Sequence, residues 1–196
     1  MEIGAARGRP RQFDREKALG EAMKRFWLLG YDATSMRDLG EAMSLSQPSI
    51  YAAFGKKAQL YVEAIDAFER EVSFLDMSAL TNAPSLSEGV DRLLENLIRR
   101  LTKTGSPKGC MILSGTVAAL GEQSELTSRL IERRGDYETV LFAALQTWLP
   151  GHKAKVTAAM LTIFARGLSD RARDGCRAPE LRRSVSEFCT LVGSGA

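Results

Sequence analysis

The tightest constraint in the sequence is the run of helix punctuation between Gly30 and Gly55. Ser35, with Asp38 three residues on and an apolar periodic run behind it, is a capping pattern that opens a helix through about Met43. Ser44-Leu45-Ser46 follows as a tight turn, and Ser46 is placed to cap a second short helix from Gln47 to about Phe54. Pro48 falls in the first turn of that helix, where a missing N–H costs nothing, and Gly55 ends it. Upstream, Asp14 can cap a helix whose Leu19, Ala22, Met23, Phe26 and Trp27 share one face, with Gly30 at its end. Residues 14–54 therefore read as helix, short helix, three-residue turn, short helix. A helix pair joined by so short a turn is the geometry of a helix-turn-helix, although plain packing also produces such pairs.

The outward face of the third helix separates the two readings. Ile50 and Phe54 are placed to point inward, which leaves Gln47, Ser49, Tyr51 and Ala52 outward. These side chains are short or hydrogen-bonding, as a surface entering the DNA major groove requires, and they are not the Lys and Glu of a solvated face. Charge agrees. Residues 1–60 hold 10 Lys/Arg against 7 Asp/Glu, whereas residues 61–196 hold 17 of each, so the net +3 sits entirely in the first part of the chain. A local positive excess is the electrostatic footprint of phosphate binding. Residues 1–12 carry Arg7, Arg9 and Arg11 among Gly, Ala and Pro. They read either as a solubilising tail or as an arm laid along a DNA backbone or minor groove.

The rest of the chain also reads as helical. A second capping pattern at Ser85–Glu88 opens a helix to about Thr104, Gly105-Ser106-Pro107 breaks it, and Cys110–Leu120 is expected as a further apolar helix. A helix from Lys57 to about Leu75, a long one over Gln123–Leu149, and a hairpin of Lys153–Arg173 and Glu180–Val192 complete an all-α chain of about nine helices. No alternating strand pattern is present. The expected division is 1–56 for the arm and helix-turn-helix, and 57–196 for a larger helical domain. With 44% hydrophobic and 26% charged residues, no apolar run near 18 residues and no signal-peptide pattern, the expected location is the cytoplasm, away from any membrane.

Enzymatic function finds no support. GxSxG, HExxH, the phosphate-binding GxxxxGK[ST] loop and GxGxxG are all missing, and the single histidine, His152, follows Pro150-Gly151 in what reads as a surface loop. Cys110, Cys176 and Cys189 are scattered with no CxxC, which argues against a disulfide framework or zinc site. No metal or cofactor is expected. Cys176 lies in an interhelix loop near Arg173 and Arg177, where cations would lower a thiol pKa, so a thiol-sensing regulator is one alternative. A helical adaptor that binds another protein is a second.

The stretch GYDATSMRDLGEAMSLSQPSIYAAFGKKAQLYVEAI, residues 30–65, resembles the DNA-binding segment of TetR/AcrR-family regulators, and with the preceding arm and helix the resemblance covers residues 7–65. Residues 167–185 and Gly109-Cys110-Met111 resemble later elements of one branch of that family. The resemblance implies a three-helix DNA-binding domain, a fourth helix leading to a variable helical domain, and a homodimer through the last two helices. It also implies a repressor that leaves a palindromic operator when a small ligand, here expected to be apolar, enters the larger domain. It places Gln47, Ser49 and Ala52 on the base-reading face and Thr34, Ser35, Tyr51 and Lys57 at phosphate-contacting positions, with Arg37 within reach of either. Met36, Ser46 and Pro48 belong to the same surface, and Arg9 and Arg11 to the arm. The turn position that the family often fills with glycine is Ser44, so a left-handed backbone there would carry strain.

Overall fold

The computed structural model describes residues 13–71, 76–115 and 124–193. Among these residues there are nine α-helices and no strand. They are α1 (Arg15–Leu29), α2 (Met36–Met43), α3 (Gln47–Phe54), α4 (Lys57–Glu71), α5 (Ser78–Thr81), α6 (Leu86–Leu101), α7 (Ser124–Leu145), α8 (Gly151–Arg173) and α9 (Ala178–Gly193).

The first four helices form where the caps place them. Asp14 accepts from the Lys17 N–H at the start of α1, and the Gly30 N–H closes its end on Phe26 O. The stripe Leu19, Ala22, Met23, Phe26 and Trp27 is buried against Leu60, Tyr61, Ala64, Ile65 and Phe68 of α4. Aromatic edges organise this contact. Phe26 and Tyr61 meet at 5.0 Å and Trp27 and Phe68 at 4.8 Å, both edge to face. The helices α2 and α3 close over this pair through Leu39, Met43, Ile50 and Phe54.

The remaining helices pack as a second layer. On α6, Val90, Leu93, Leu94, Leu97, Ile98 and Leu101 are fully buried, chiefly against α9 and α5, with α8 adding to the seal. Arg182 of α9 donates to the Glu95 carboxylate of α6 from Nε and Nη2, at 2.8–3.1 Å. The helix α8 runs beside α7 with Ala154, Ala158, Leu161, Ala165 and Leu168 buried, small side chains that permit close approach.

Three details differ from the sequence expectation. The four-residue α5 had no periodic signal; it is docked by Leu80 on α6, where Gly89 leaves room for it. The helix expected over Cys110–Leu120 is absent over its described part, residues 110–115, which form turns although Met111, Ile112 and Leu113 are buried. Its backbone bonds go elsewhere. Gly109 O accepts from Trp27 Nε1 at 3.0 Å, the Cys110 N–H donates to Ser169 Oγ at 2.8 Å, and Arg134 donates to the carbonyls of Ile112 and Gly115. An apolar run whose amides are satisfied by neighbouring helices has no need of its own ladder. Finally, α6 stops at Leu101, α7 ends at Leu145, and His152 lies exposed in the first turn of α8 and not in a loop. Val72 and residues 116–123 lie outside the described residues.

Trp27 ties the two layers together, because Arg173 at the end of α8 also donates to its backbone carbonyl at 3.1 Å. Trp27→Phe keeps an aromatic ring, smaller than the indole, but leaves Gly109 O buried without its donor. It should cost about 1–3 kcal/mol, read as a lower urea midpoint at unchanged slope.

Candidate nucleic-acid interface

The turn between α2 and α3 is built as the sequence suggests. Ser35 and Asp38 form the reciprocal cap: the Asp38 N–H donates to Ser35 Oγ at 3.1 Å, and the Ser35 N–H donates to Asp38 Oδ2 at 2.8 Å. The Ser35 hydroxyl adds a third bond to the same oxygen at 2.6 Å, and Arg25 of α1 approaches the other at 3.3 Å. These hydrogen bonds, led by the Ser35 hydroxyl, hold the Asp38 carboxyl down to about 2. Ser44 adopts φ 54°, ψ 40°, the one non-glycine residue at positive φ among those described. Ser46 then caps α3, its oxygen accepting from the Ser49 N–H at 3.4 Å.

On α3, Ile50 and Phe54 are buried as expected, and Gln47, Pro48, Tyr51 and Ala52 are exposed, Tyr51 at 49%. Ser49 is only half-exposed, and its hydroxyl is shared with Ser46 Oγ at 2.8 Å. At the start of α2, Ser35 and Arg37 are exposed and Met36 is half-buried. Arg37 is 83% exposed, with only an i,i+4 pair to Glu41 at 3.0 Å. Thr34 departs from expectation. It is fully buried and its hydroxyl donates to Gly30 O at 2.6 Å, so it shapes the turn into α2 and offers no hydroxyl outward. Arg7, Arg9 and Arg11 lie outside the described residues.

Lys57, at the first turn of α4, rests its ammonium over the Tyr31 ring, 4.2 Å from the centroid. Partial burial lowers its pKa, with Asp32 and Asp38 opposing. Tyr31, which sequence reasoning did not single out, is buried against Phe26 and Tyr61 and so sets where that cation stands. The neighbouring Lys56 is exposed, and its N–H donates to Gln59 Oε1 at 2.8 Å, closing the start of α4. Four of the seven cations of residues 13–60 are already paired: Arg37 with Glu41, Arg15 with Glu63 at 2.7 Å, Lys24 with Glu21 at 2.8 Å, and Arg25 with Asp38. Residues 13–60 hold 7 Lys/Arg against 6 Asp/Glu, whereas residues 1–12 hold 3 against 1, so most of the excess belongs to the arm.

The thiol expectation is reversed. Cys176 donates to Glu180 Oε2 at 3.0 Å, and that carboxylate raises the thiol pKa, outweighing Arg171. Of the cations expected to activate it, Arg177 pairs with Glu180 and Arg173 is turned to Trp27. Cys110 is fully buried, which pushes its thiol up to about 12. Among the described residues no His/Cys/Asp/Glu group could hold a metal. No helix among them is long and apolar enough to cross a membrane.

The architecture is thus that of a helix-turn-helix head on a helical body. The sequence profile of bacterial regulatory proteins of the tetR family matches residues 18–64. Over most of its length the chain is 29% identical to the HTH-type transcriptional repressor ComR of Escherichia coli K12, spanning 91% of this chain and 89% of that protein. It is 28% identical to the repressor BdcR of the same organism, spanning 94% and 88%. Among solved structures, a cysteine-substituted form of the TetR family regulator CifR, complexed with 26-base-pair operator DNA, superposes with a TM-score of 0.84. That match has 30% identity and covers 93% of this chain and 98% of that one. A TetR regulator from Chloroflexus aurantiacus shares the fold, with a TM-score of 0.74 at 20% identity. The chain belongs to the tetR family of bacterial regulatory proteins.

Two outcomes follow from the turn. Ser44→Gly removes a left-handed strain of roughly 1–2 kcal/mol and adds backbone entropy worth roughly 0.5–1, so it should stabilise by about 0.5–1 kcal/mol in urea melts. Asp38 titrates lower folded than its ordinary 3.8, so its contribution is complete above that value and disappears as pH falls toward 2. Wild type should therefore lose stability relative to Asp38→Asn between about pH 4 and 2, and a constant difference across that window would contradict the assignment.

Proposed function

We propose that this chain is a cytoplasmic, dimeric, sequence-specific DNA-binding repressor that leaves its operator when a small molecule binds. The observation that carries this reading is the exposed face of α3, with Gln47, Tyr51 and Ala52 presented on a helix whose opposite side is locked into the core by Ile50 and Phe54. The operator complex of the CifR relative and the repressor names of ComR and BdcR support it.

In this reading α3 lies in the major groove. Gln47 can pair bidentately with adenine, and Ala52 can touch a thymine methyl. Pro48 and Ser49 line the entry to the groove, with Ser49 also holding the Ser46 cap. Tyr51 and Lys57 contact phosphates, helped by the free amides at the starts of α2, α3 and α4, while Met36 and Arg37 flank that contact; Ser35, whose hydroxyl and N–H are both spent on Asp38, acts by fixing the first turn of α2. Lys57 needs no search through rotamers, because the Tyr31 ring already holds it. Arg9 and Arg11 add backbone or minor-groove contacts. Thr34 acts indirectly, by fixing the turn that aims α2. We assign residues 1–56 to the reading head and 57–196 to the regulatory body.

Dimerisation is supported by α8, on which Val156, Met160 and Ile163 form an i, i+4, i+7 stripe exposed by 60%, 47% and 72%. The stripe lies beside α9, whose Phe188 stacks on Phe164 at 4.1 Å. A second copy packed there would place two reading helices about 34–36 Å apart, on successive major grooves.

Two substitutions test the residue roles. Gln47→Ala should cost about 1–3 kcal/mol of operator affinity and relax preference at one base position. Tyr51→Phe should weaken binding to all sequences alike. If both proteins bind the operator as wild type does, α3 is not the reading helix.

A further inference from the structure

We propose that the cleft between α1 and the C-terminal end of α6 binds a small organic anion with an apolar body, and that this anion is the effector. The second half rests on the repressor reading above. The cleft has a volume of about 440 Å³, within the range of roughly 300–1,000 Å³ usual for small-molecule sites. Met23 and Trp27 of α1, all but buried at 3% and 4% exposure, form its floor with Pro107 beside them, and Lys24, Arg100 and Lys103 bring three cations against the single carboxylate of Glu71.

Two of the three cations are not consumed by structural tasks. Lys24 pairs with Glu21, but among the described residues neither Arg100 nor Lys103 has an ion-pair partner within 4 Å. Basic residues at a helix end commonly satisfy its last carbonyls. Here Lys108 does that, donating from Nζ to Thr102 O and Lys103 O at 2.8 Å each. Asp76 feels the charge of Arg100, but its carboxyl is held chiefly by the hydroxyl and amide of Ser78. Arg100 is half-buried, so a guest carboxylate would meet a cation in a partly dry cleft, where the attraction is screened less than at an open surface.

The wall is rigid. The Trp27 indole is fixed by Gly109 O on its N–H and by an edge-to-face contact with Phe68, so the rim it shows to the cleft, with Pro107, is a preformed apolar floor for the guest's body. The location also couples to the head. Arg25, the neighbour of Lys24 on α1, pairs with Asp38 in the α2 cap. A guest whose carboxylate joins Lys24 on α1 to Arg100 and Lys103 at the end of α6 holds these two elements at one spacing, and so favours one placement of the helix on which α2 is docked.

The test uses full-length protein with Trp148→Phe, which leaves Trp27 as the sole indole. The probes are 4-phenylbutyrate and the uncharged 4-phenylbutanol. The expected result is a saturable change in Trp27 emission with the acid, at least tenfold weaker with the alcohol and in Arg100→Gln/Lys103→Gln. The charge-keeping Arg100→Lys/Lys103→Arg protein should bind within about threefold of its parent, which guards against misfolding as the cause, and calorimetry on the wild type should give the same affinity. No saturable binding, or equal binding by the alcohol or by the double glutamine variant, overturns the site. With a selected operator, saturating 4-phenylbutyrate should weaken DNA binding at least tenfold in wild type and not in the double glutamine variant. Undisturbed DNA binding by acid-saturated wild type overturns the effector role alone. Acid binding by a protein that binds no DNA refutes the repressor reading and leaves the anion site standing.

Discussion

Trp27 is the residue on which both layers of the molecule lean. Its ring is buried on Phe68 of α4, its N–H is spent on Gly109 O, and its own carbonyl receives Arg173 from the end of α8. The last turn of α1 is therefore fixed by α4, by the loop after α6 and by α8 together. That arrangement lets a loop of buried apolar residues, 110–115, exist without a helix ladder, because Trp27, Ser169 and Arg134 supply the donors and acceptors it lacks. It also means that α1 cannot shift without disturbing contacts in the helical body, which is the physical requirement for a body to speak to a head.

The head itself uses charge sparingly. Its folded cations are mostly paired, and the arm carries most of the excess. Register on a nucleic acid would then come from neutral hydroxyls, helix starts and one prepositioned ammonium, with the arm adding salt-sensitive affinity. Two local costs are accepted in exchange for geometry. Ser44 holds a left-handed backbone, and Lys57 gives up some hydration to sit on Tyr31.

Much of this was legible because it is local. Asp14, Ser35 with Asp38, Ser46 and Ser85 all cap where their spacing places them, and Gly30 and Gly55 end α1 and α3. The inward Ile50 and outward Gln47, Tyr51 and Ala52 followed from helical period alone. What was not legible depends on how segments pack once folded, in the largest case through partners distant in sequence. Nothing near Cys110 announces that Trp27, Ser169 and Arg134 will take up its backbone, and nothing near Leu80 announces Gly89 as its seat. Thr34 looked available for phosphate because its burial is decided by how the turn folds back on Gly30. The reversal at Cys176 was visible in part, since Glu180 stands four residues on, the spacing at which helical neighbours meet.

The central claim is that α3 of a dimer reads DNA sequence, and an unbiased selection of DNA by the purified protein at two salt concentrations tests it most directly. A palindrome whose half-sites lie about one helical turn apart should be enriched, with affinity falling steeply as salt rises. Failure to enrich any sequence at either salt, with protein shown by mass spectrometry to carry no bound small molecule, would contradict it and favour a helical adaptor that binds another protein.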